Sequence, residues 1–321
     1  MASGRVARCA GYLAGLHSYV DPRTGLTALG AAAEYGFEEA LELVHVAGAV
    51  EKGMLLDFEA ELEATRGWTF VHGCRDATVL DGRDGVRALV LNERPHLVQS
   101  SVRLDANGAP AASPPPLLGD FGTAAGGLAL AGAFWRALGR PAAPRVACLG
   151  GGGCAAPAVL ARCLGAAVVA GEPVDAVRDV ARALFLPPSS GVSLVGGCGA
   201  AHLAAADAVD VLLVDAEHAG AAPPPPLRAD AFYGDVARVA PAVVAVNVLG
   251  DAGSTSAALA AALPGHRRYA MAAPGARSPQ TLVFAVAGAP VSAAALRTAL
   301  DAGPDPLLDE PDLWLAGLAE L

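Results

Sequence analysis

Between Arg145 and Glu172 the chain reads RVACLGGGGCAAPAVLARCLGAAVVAGE: an apolar run, four glycines, an Ala-rich segment, and a second apolar run ending on an acid. Glycines after a strand let the backbone turn sharply and approach a ligand, and the helix that follows presents free N–H groups at its N-terminus. An acid at the tip of the second strand is placed to accept hydrogen bonds from ribose hydroxyls. Glu172 follows Gly150 by about twenty residues, the spacing of a site for a nucleoside-containing ligand. The loop does not say which one, because Gly150, Gly152 and Ala155 also satisfy the dinucleotide pattern G-x-G-x-x-A. The bland alternative is a packing loop with a solvated Glu172.

The elements that must hold these residues can be read from the chain. Residues 1–60 form a mixed segment of unassigned role, with a helix expected over 37–49 (FEEALELVHVAGA). Residues 61–120 read as a small β-rich domain and its linker. WTFVHG, DATVLDG, VRALVLNE and HLVQSSVRL are short β-prone runs separated by turn residues, hence an antiparallel meander over 68–104. DANGAPAASPPPLLGD (105–120) has no periodicity and reads as linker. Residues 121–321 read as a Rossmann-like domain, entered by a helix over 124–138 that Pro141 and Pro144 close. VACLG, AAVVAGE, VSLVGG, VDVLLVDA and AVVAVNVLG alternate with Ala/Leu-rich helices, the signature of an α/β fold whose parallel sheet is covered on both faces. RRYAMAA (267–273) and TLVFAVAG (281–288) are joined by a loop too short for a parallel crossover, so they form an antiparallel hairpin. Five parallel strands finished by a hairpin resembles the architecture of class I S-adenosylmethionine-dependent methyltransferases, and the hairpin finish and the position of the fold after a small β-domain both favour the methionine nucleoside over NAD.

Composition narrows the partners. The formal charge is −10 and no basic cluster exceeds pairs such as Arg267-Arg268, which gives no footprint for a phosphate backbone and excludes nucleic acid as a main partner. Lys52 is the single lysine while alanine and glycine abound, a pattern of GC-rich coding that inflates the 54% hydrophobic fraction. The uncharged windows 183–206 and 278–296 are broken by Pro187, Pro188, Pro279 and Pro290, so no membrane helix is expected. Cys9, Cys74, Cys148, Cys154, Cys163 and Cys198 form no C-x-x-C pair and no metal spacing with the histidines; free thiols and a cytoplasmic location are the expectation. Arg5 and Arg8 without an acid leave an organelle transit peptide as the lesser alternative.

LGGGG, GEPVDAVRDVARALF (171–185), VSLVGG, VDVLLVDAEH (209–218) and AVVAVNVLGD resemble the spermidine-synthase-like superfamily. Within it they are most similar to the methyltransferase-like proteins that modify translation elongation factor, a lysine and N-terminal methyltransferase. VRALVLNERPHLVQSSVRL and LALAGAFWRAL resemble that group's small domain and lead-in helix, and the resemblance covers roughly residues 65–290. It implies S-adenosylmethionine as cosubstrate, a protein substrate, and pairing through the small β-domain as a route to a homodimer. Gly150, Gly151, Gly152 and Gly153 match the nucleoside-binding loop and Glu172 the ribose acid. Asp215 matches the acid that aminopropyltransferases use on the attacking amine. The family's adenine acid falls on Gly196, so adenine would be held by backbone and Cys198. Gly153 or Cys154 replaces the loop Asp of aminopropyltransferases, and small residues near Ala124 and Ala125 replace their Tyr-His pair, which disfavours polyamine synthesis.

Methyl transfer is an in-line displacement, so the protein mainly positions donor and acceptor and keeps the amine unprotonated. Asp215, at the C-terminal end of a parallel strand, can orient an amine, and Glu217 or His218 can take its proton. Asp215 capping a turn and His218 in solvent are the alternatives. The segment EHAGAAPPPPLRADAF (217–232) reads either as a stiff extended lid or as a tolerated surface insertion. Asn247 is a polar residue on a buried strand at the same rim and needs a partner. Trp68, Trp135 and Trp314 are expected in packing, and His202 has no assigned role. The leading expectation is a methyltransferase of a protein amine. A catalytically silent methyltransferase-like binding module is the alternative, ahead of a polyamine aminopropyltransferase and, more distantly, an NAD-linked oxidoreductase.

Overall fold

Side chains alternate across a strand, so a strand apolar at every position must be covered on both faces. Val211–Val214 is such a strand: Leu213 joins one hydrophobic core, and Leu212 and Val214 join the other. A computed structural model describes residues 69–111, 119–303 and 311–321, except 75, 83–84, 92–97, 141–142, 188–189, 218–222 and 273–279. The chain divides between Ala111 and Ala112 into two compact units.

The first unit contains β1 (Thr69–Gly73), β2 (Ala77–Asp81), β3 (Val86–Leu91) and β4 (Val98–Arg103), an antiparallel meander in sequence order. Asp81 and Arg87 face each other across β2 and β3 and form a two-pronged ion pair at 2.7 and 2.8 Å. Part of the expected linker is instead a closed turn: Leu104 bridges Pro110, and Asp105 Oδ1 accepts from the N–H groups of Asn107 and Ala109. The helix expected over 37–49 and Trp68 lie outside the described residues.

In the second unit, α1 (Gly119–Ala137) leads into β5 (Val146–Leu149), α2 (Ala155–Leu164), β6 (Val168–Glu172), α3 (Asp175–Leu184), β7 (Val192–Gly196), α4 (Gly199–Ala205) and β8 (Val211–Val214). A 3₁₀ turn (Pro225–Leu227), α5 (Asp230–Val239), β9 (Val243–Leu249), α6 (Ala252–Ala262), β10 (His266–Ala272), β11 (Gln280–Ala287), α7 (Ala293–Asp301), α8 (Pro311–Ala316) and β12 (Ala319–Glu320) follow. The sheet order is β12-β10-β11-β9-β8-β5-β6-β7. β5 to β9 pair in parallel, and β11 inserts antiparallel between β9 and β10. The expected hairpin is therefore present, with its second strand on the inside. The short β12, which extends the sheet edge at Tyr269 and Ala270, was not anticipated.

One core holds Leu128 and Phe134 of α1, Leu160 of α2, Leu296 of α7 and Trp314 of α8 against Cys148, Leu213 and Phe284 of the sheet. Phe134 stacks at 5.0 Å on Tyr269 and 5.3 Å on Phe284. Gly127 lets α1 pack close against β11 and α8, since a Cβ there would lie 1.8 Å from the Leu282 side chain and 2.7 Å from that of Trp314. The opposite core gathers Leu203, Phe232, Val236 and Leu259 from α4, α5 and α6. Trp135 and Trp314 are buried, as packing residues should be. Among the described residues no helix is long and apolar enough to cross a membrane, and no cluster of His, Cys, Asp and Glu could hold a metal ion.

Candidate functional site

Strand order reverses between β5 and β8, because β5 connects onward to β6 on one side while its other neighbour is β8. Ligands of open α/β sheets bind in the crevice beyond the strands' C-terminal ends at such a point. Four sequence-selected residues line that rim on adjacent strands: Glu172 ends β6, Gly150 follows β5, Asp215 follows β8 and Asn247 lies near the end of β9.

The glycine loop is shaped by contacts only glycine permits. Gly150 has φ 101° and donates its N–H to Gly171 at 3.0 Å. A Cβ on Gly150 would lie 2.2 Å from the Asp215 carbonyl oxygen and 2.8 Å from Ala216 Cα, so the loop seats directly on the backbone that carries the second acid. The N–H of Asp215 closes the same junction on Leu149 at 2.9 Å. Gly151 faces Leu194 and Glu172 with no room for a side chain, and Gly152 takes φ 47°. Gly153 is buried, and Cys154 enters α2 in the left-handed conformation at φ 65°.

Glu172 is 8% exposed, and both of its oxygens are held by backbone. Gly152 N–H donates to Oε2 at 2.9 Å and Val174 N–H to Oε1 at 3.0 Å, which ties the acid to the loop across the strand gap. Each carboxylate oxygen has a second lone pair, so capacity for a ribose hydroxyl remains. Asp215 is half-buried; burial pushes its carboxyl up, and a bond from Asn247 Nδ2 at 3.0 Å opposes that. Burial also pushes the Cys148 thiol up, helped by Asp215, Cys154 and Glu172, and raises Cys154 to about 12. Both stay protonated at neutral pH, which rules them out as thiolate nucleophiles.

The third strand's end departs from the pattern. Where a Cβ of Gly196 would sit, the Arg178 guanidinium lies face-on, with Cζ at 2.8 Å and both Nη atoms at 3.0 Å. Arg178 Nη1 donates to the Glu172 carbonyl at 2.8 Å, and Nη2 pairs with Asp175. The Arg178 guanidinium, at the far end of a flexible side chain from α3, thus fills the space beside Gly196. Cys198 carries an exposed free thiol just before α4 and makes no side-chain capping bond. His202, unassigned from the sequence, fixes this corner: its Nε2 bonds the Gly196 carbonyl at 2.6 Å and its ring packs on Gly171. Gly171 and Gly197 flank that ring, and nothing in their spacing from His202 marked the contact. Glu217 is exposed, and His218 lies outside the described residues.

No family profile matches the chain, and no curated protein matches it. Solved structures do. Spermidine synthase from Thermotoga maritima is 14% identical at TM-score 0.50, over 76% of this chain and 80% of that one. Spermidine synthase in complex with the transition state analogue AdoDATO is 13% identical at TM-score 0.50, over 78% and 83%. Human methyltransferase-like protein 13 in complex with SAH is 21% identical over 60% of this chain and 90% of that one, at TM-score 0.43. A four-stranded meander, a parallel sheet reversed at the glycine loop and an inserted antiparallel strand together give this chain the fold of the spermidine-synthase-like class I methyltransferases.

Proposed function

We propose that the protein is an S-adenosylmethionine-dependent methyltransferase acting on a protein amine. The observation that carries this reading is the tie between loop and acid: Gly152 N–H on Glu172 and Gly150 seated on the Asp215 backbone. These contacts support reading Glu172 as the ribose acceptor and Asp215 as the amine acceptor, each held against the same backbone loop. Gly150 to Gly153 and Glu172 fit the nucleoside at its ribose side, while Gly196 offers no carboxylate to the base. When bound, the donor supplies an electrophilic methyl group on a sulfonium.

The chain's own residues do the rest. Asp215 accepts an N–H of the incoming amine and orients its lone pair, and Glu217 or His218 takes the proton the ammonium must lose. The amine lone pair forms the N–C bond as the C–S bond breaks, and that bond's electrons remain on sulfur. By resemblance, a translation elongation factor is the acceptor to try first.

The test is transfer of isotope-labelled methyl from S-adenosylmethionine to the proteins of a cell extract, and to purified elongation factor, by wild type and Asp215→Asn. Labelled protein with wild type and at least about a hundredfold less with the variant fits the proposal, the scale on which positioned acid–base groups act. A second reading, a silent binding module, is favoured by the Arg178 cation over Gly196 and predicts no labelled protein. Aminopropyl transfer, favoured by the likeness to the two spermidine synthases, predicts product from decarboxylated donor and putrescine instead.

A further inference from the structure

Val214 of β8 pairs with Val246 of β9, so the next residues, Asp215 and Asn247, stand side by side at the rim. Asn247 is only 8% exposed. Its Nδ2 donates to Asp215 Oδ1 at 3.0 Å, which fixes which end of the amide is which, because a carboxylate can only accept. The other end, Asn247 Oδ1, is buried and has no hydrogen-bond partner among the described residues. Asp215 Oδ2 likewise has no partner among the described residues. A buried acceptor without a donor is costly and rare in folded proteins, and each instance calls for an explanation.

We infer that Asn247 Oδ1 and Asp215 Oδ2 form a two-acceptor reader for the N–H groups of an amine, with Asn247 a specificity-determining residue of the proposed reaction. The inference rests on the amine-transfer reading above and adds the class of nitrogen the site selects. Two acceptors side by side, one anionic and one neutral, match a group with at least two N–H donors and repel carboxylates and phosphates, which bring only lone pairs. Oδ1 is shielded from water, so an amine that reaches it displaces what shields it and arrives stripped of its own hydration. Loss of that hydration favours the neutral form the reaction needs.

A consequence for the reaction follows from counting N–H groups. A neutral primary amine has two, so both acceptors are satisfied and the lone pair points away from them. A neutral secondary amine has one, and leaves an acceptor unmet. The first methyl transfer to a given nitrogen is therefore faster than the second.

The experiment uses the full chain and four probes at pH 7: n-butylamine, N-methylbutylamine, N,N-dimethylbutylamine and butyltrimethylammonium. All are cations there, with three, two, one and no N–H groups in turn. Binding is followed by ligand-observed NMR on wild type and Asn247→Leu, with and without saturating S-adenosylhomocysteine, and in wild type also through the Asn247 side-chain amide. The expected result is similar affinity for the first two probes, a loss of about tenfold between the second and third, and no such break in Asn247→Leu. A smooth decline with size on wild type, or the same break in Asn247→Leu, overturns the inference. The wild-type order is decisive even if the variant does not fold. Failure of S-adenosylhomocysteine to bind would count against the methyltransferase reading instead, while the amine order still decides this one.

Discussion

Replacing Gly150 with alanine tests whether the glycine loop is welded to the backbone that carries Asp215. Two costs act together. Gly150 has φ 101°, where an L side chain is strained by about 1–3 kcal/mol. Its new Cβ would also meet three backbone atoms of Asp215 and Ala216 at 2.2, 2.6 and 2.8 Å, none of which can rotate away. Overpacking of this kind costs about 1–3 kcal/mol more, so the total is about 2–6 kcal/mol. Gly165 is the matched control: it sits at φ 60° after α2, and a Cβ there meets nothing within 4 Å. Gly165→Ala should lose only the conformational share, about 1–2 kcal/mol. Urea unfolding followed by the fluorescence of the buried Trp135 and Trp314 measures both variants in the unit concerned. Equal losses in Gly150→Ala and Gly165→Ala would refute the close seating of the loop on Asp215.

Four other outcomes are expected. Asp215 has its carboxyl raised by burial, so its ionised form is favoured less in the fold than in the unfolded chain. The stability linked to it is full below the unfolded value of about 3.9 and is lost as pH rises through the folded value, so Asp215→Asn should gain on wild type over that rise in pH-dependent melts. Asn247→Leu removes the bond that lowers the Asp215 carboxyl, and the acid limb of the transfer rate should then move to higher pH. Asp210, held below the usual carboxylate range first by the Arg145 side-chain bond, behaves oppositely. Its contribution is present above about 3.9 and lost as pH falls through the lower folded value, so Asp210→Asn should be less stable than wild type near neutrality and equal to it in strong acid. Gly196→Asp pushes a Cβ against the movable end of Arg178 and should leave nucleoside affinity within about threefold, because Arg178 neutralises the new acid. With Arg178→Ala added, calorimetry should show S-adenosylhomocysteine binding about tenfold tighter, by one charge-assisted hydrogen bond.

The fold was legible because its strands are continuous apolar runs. VDVLLVDA can only be a strand covered on both faces, and the short loop between RRYAMAA and TLVFAVAG leaves only a hairpin. The site was legible as far as it depends on strand ends: Gly150, Glu172 and Asp215 each terminate an apolar run and each lies on the rim. What stayed hidden depends on side chains reaching across elements. Arg178 is an ordinary helix residue until α3 lays it over Gly196, six residues past the Glu172 carbonyl it also holds. His202 looked inert on an Ala-rich helix, yet it closes the β6–β7 corner through a carbonyl, a partner that leaves no mark in side-chain types. The helix entering the domain begins at Gly119 and not at 124, because Gly and Thr at its start weakened the apolar pattern without breaking the helix. Asn247, polar on a buried strand, needs a partner on sequence grounds alone. That its Nδ2 would find Asp215 and leave Oδ1 unmet follows from the β8–β9 register, which no local spacing encodes.

In the proposed function the glycine loop and Glu172 hold an S-adenosyl nucleoside. Calorimetric titration of the full chain with S-adenosylmethionine, S-adenosylhomocysteine, decarboxylated donor and NAD, repeated on Glu172→Ala, tests it most directly. Saturable binding of the first two ligands is expected, weakened at least about tenfold in the variant as a ribose hydrogen bond to a charged acceptor is lost. Binding of none of the four, or binding that Glu172→Ala leaves unchanged, would contradict it.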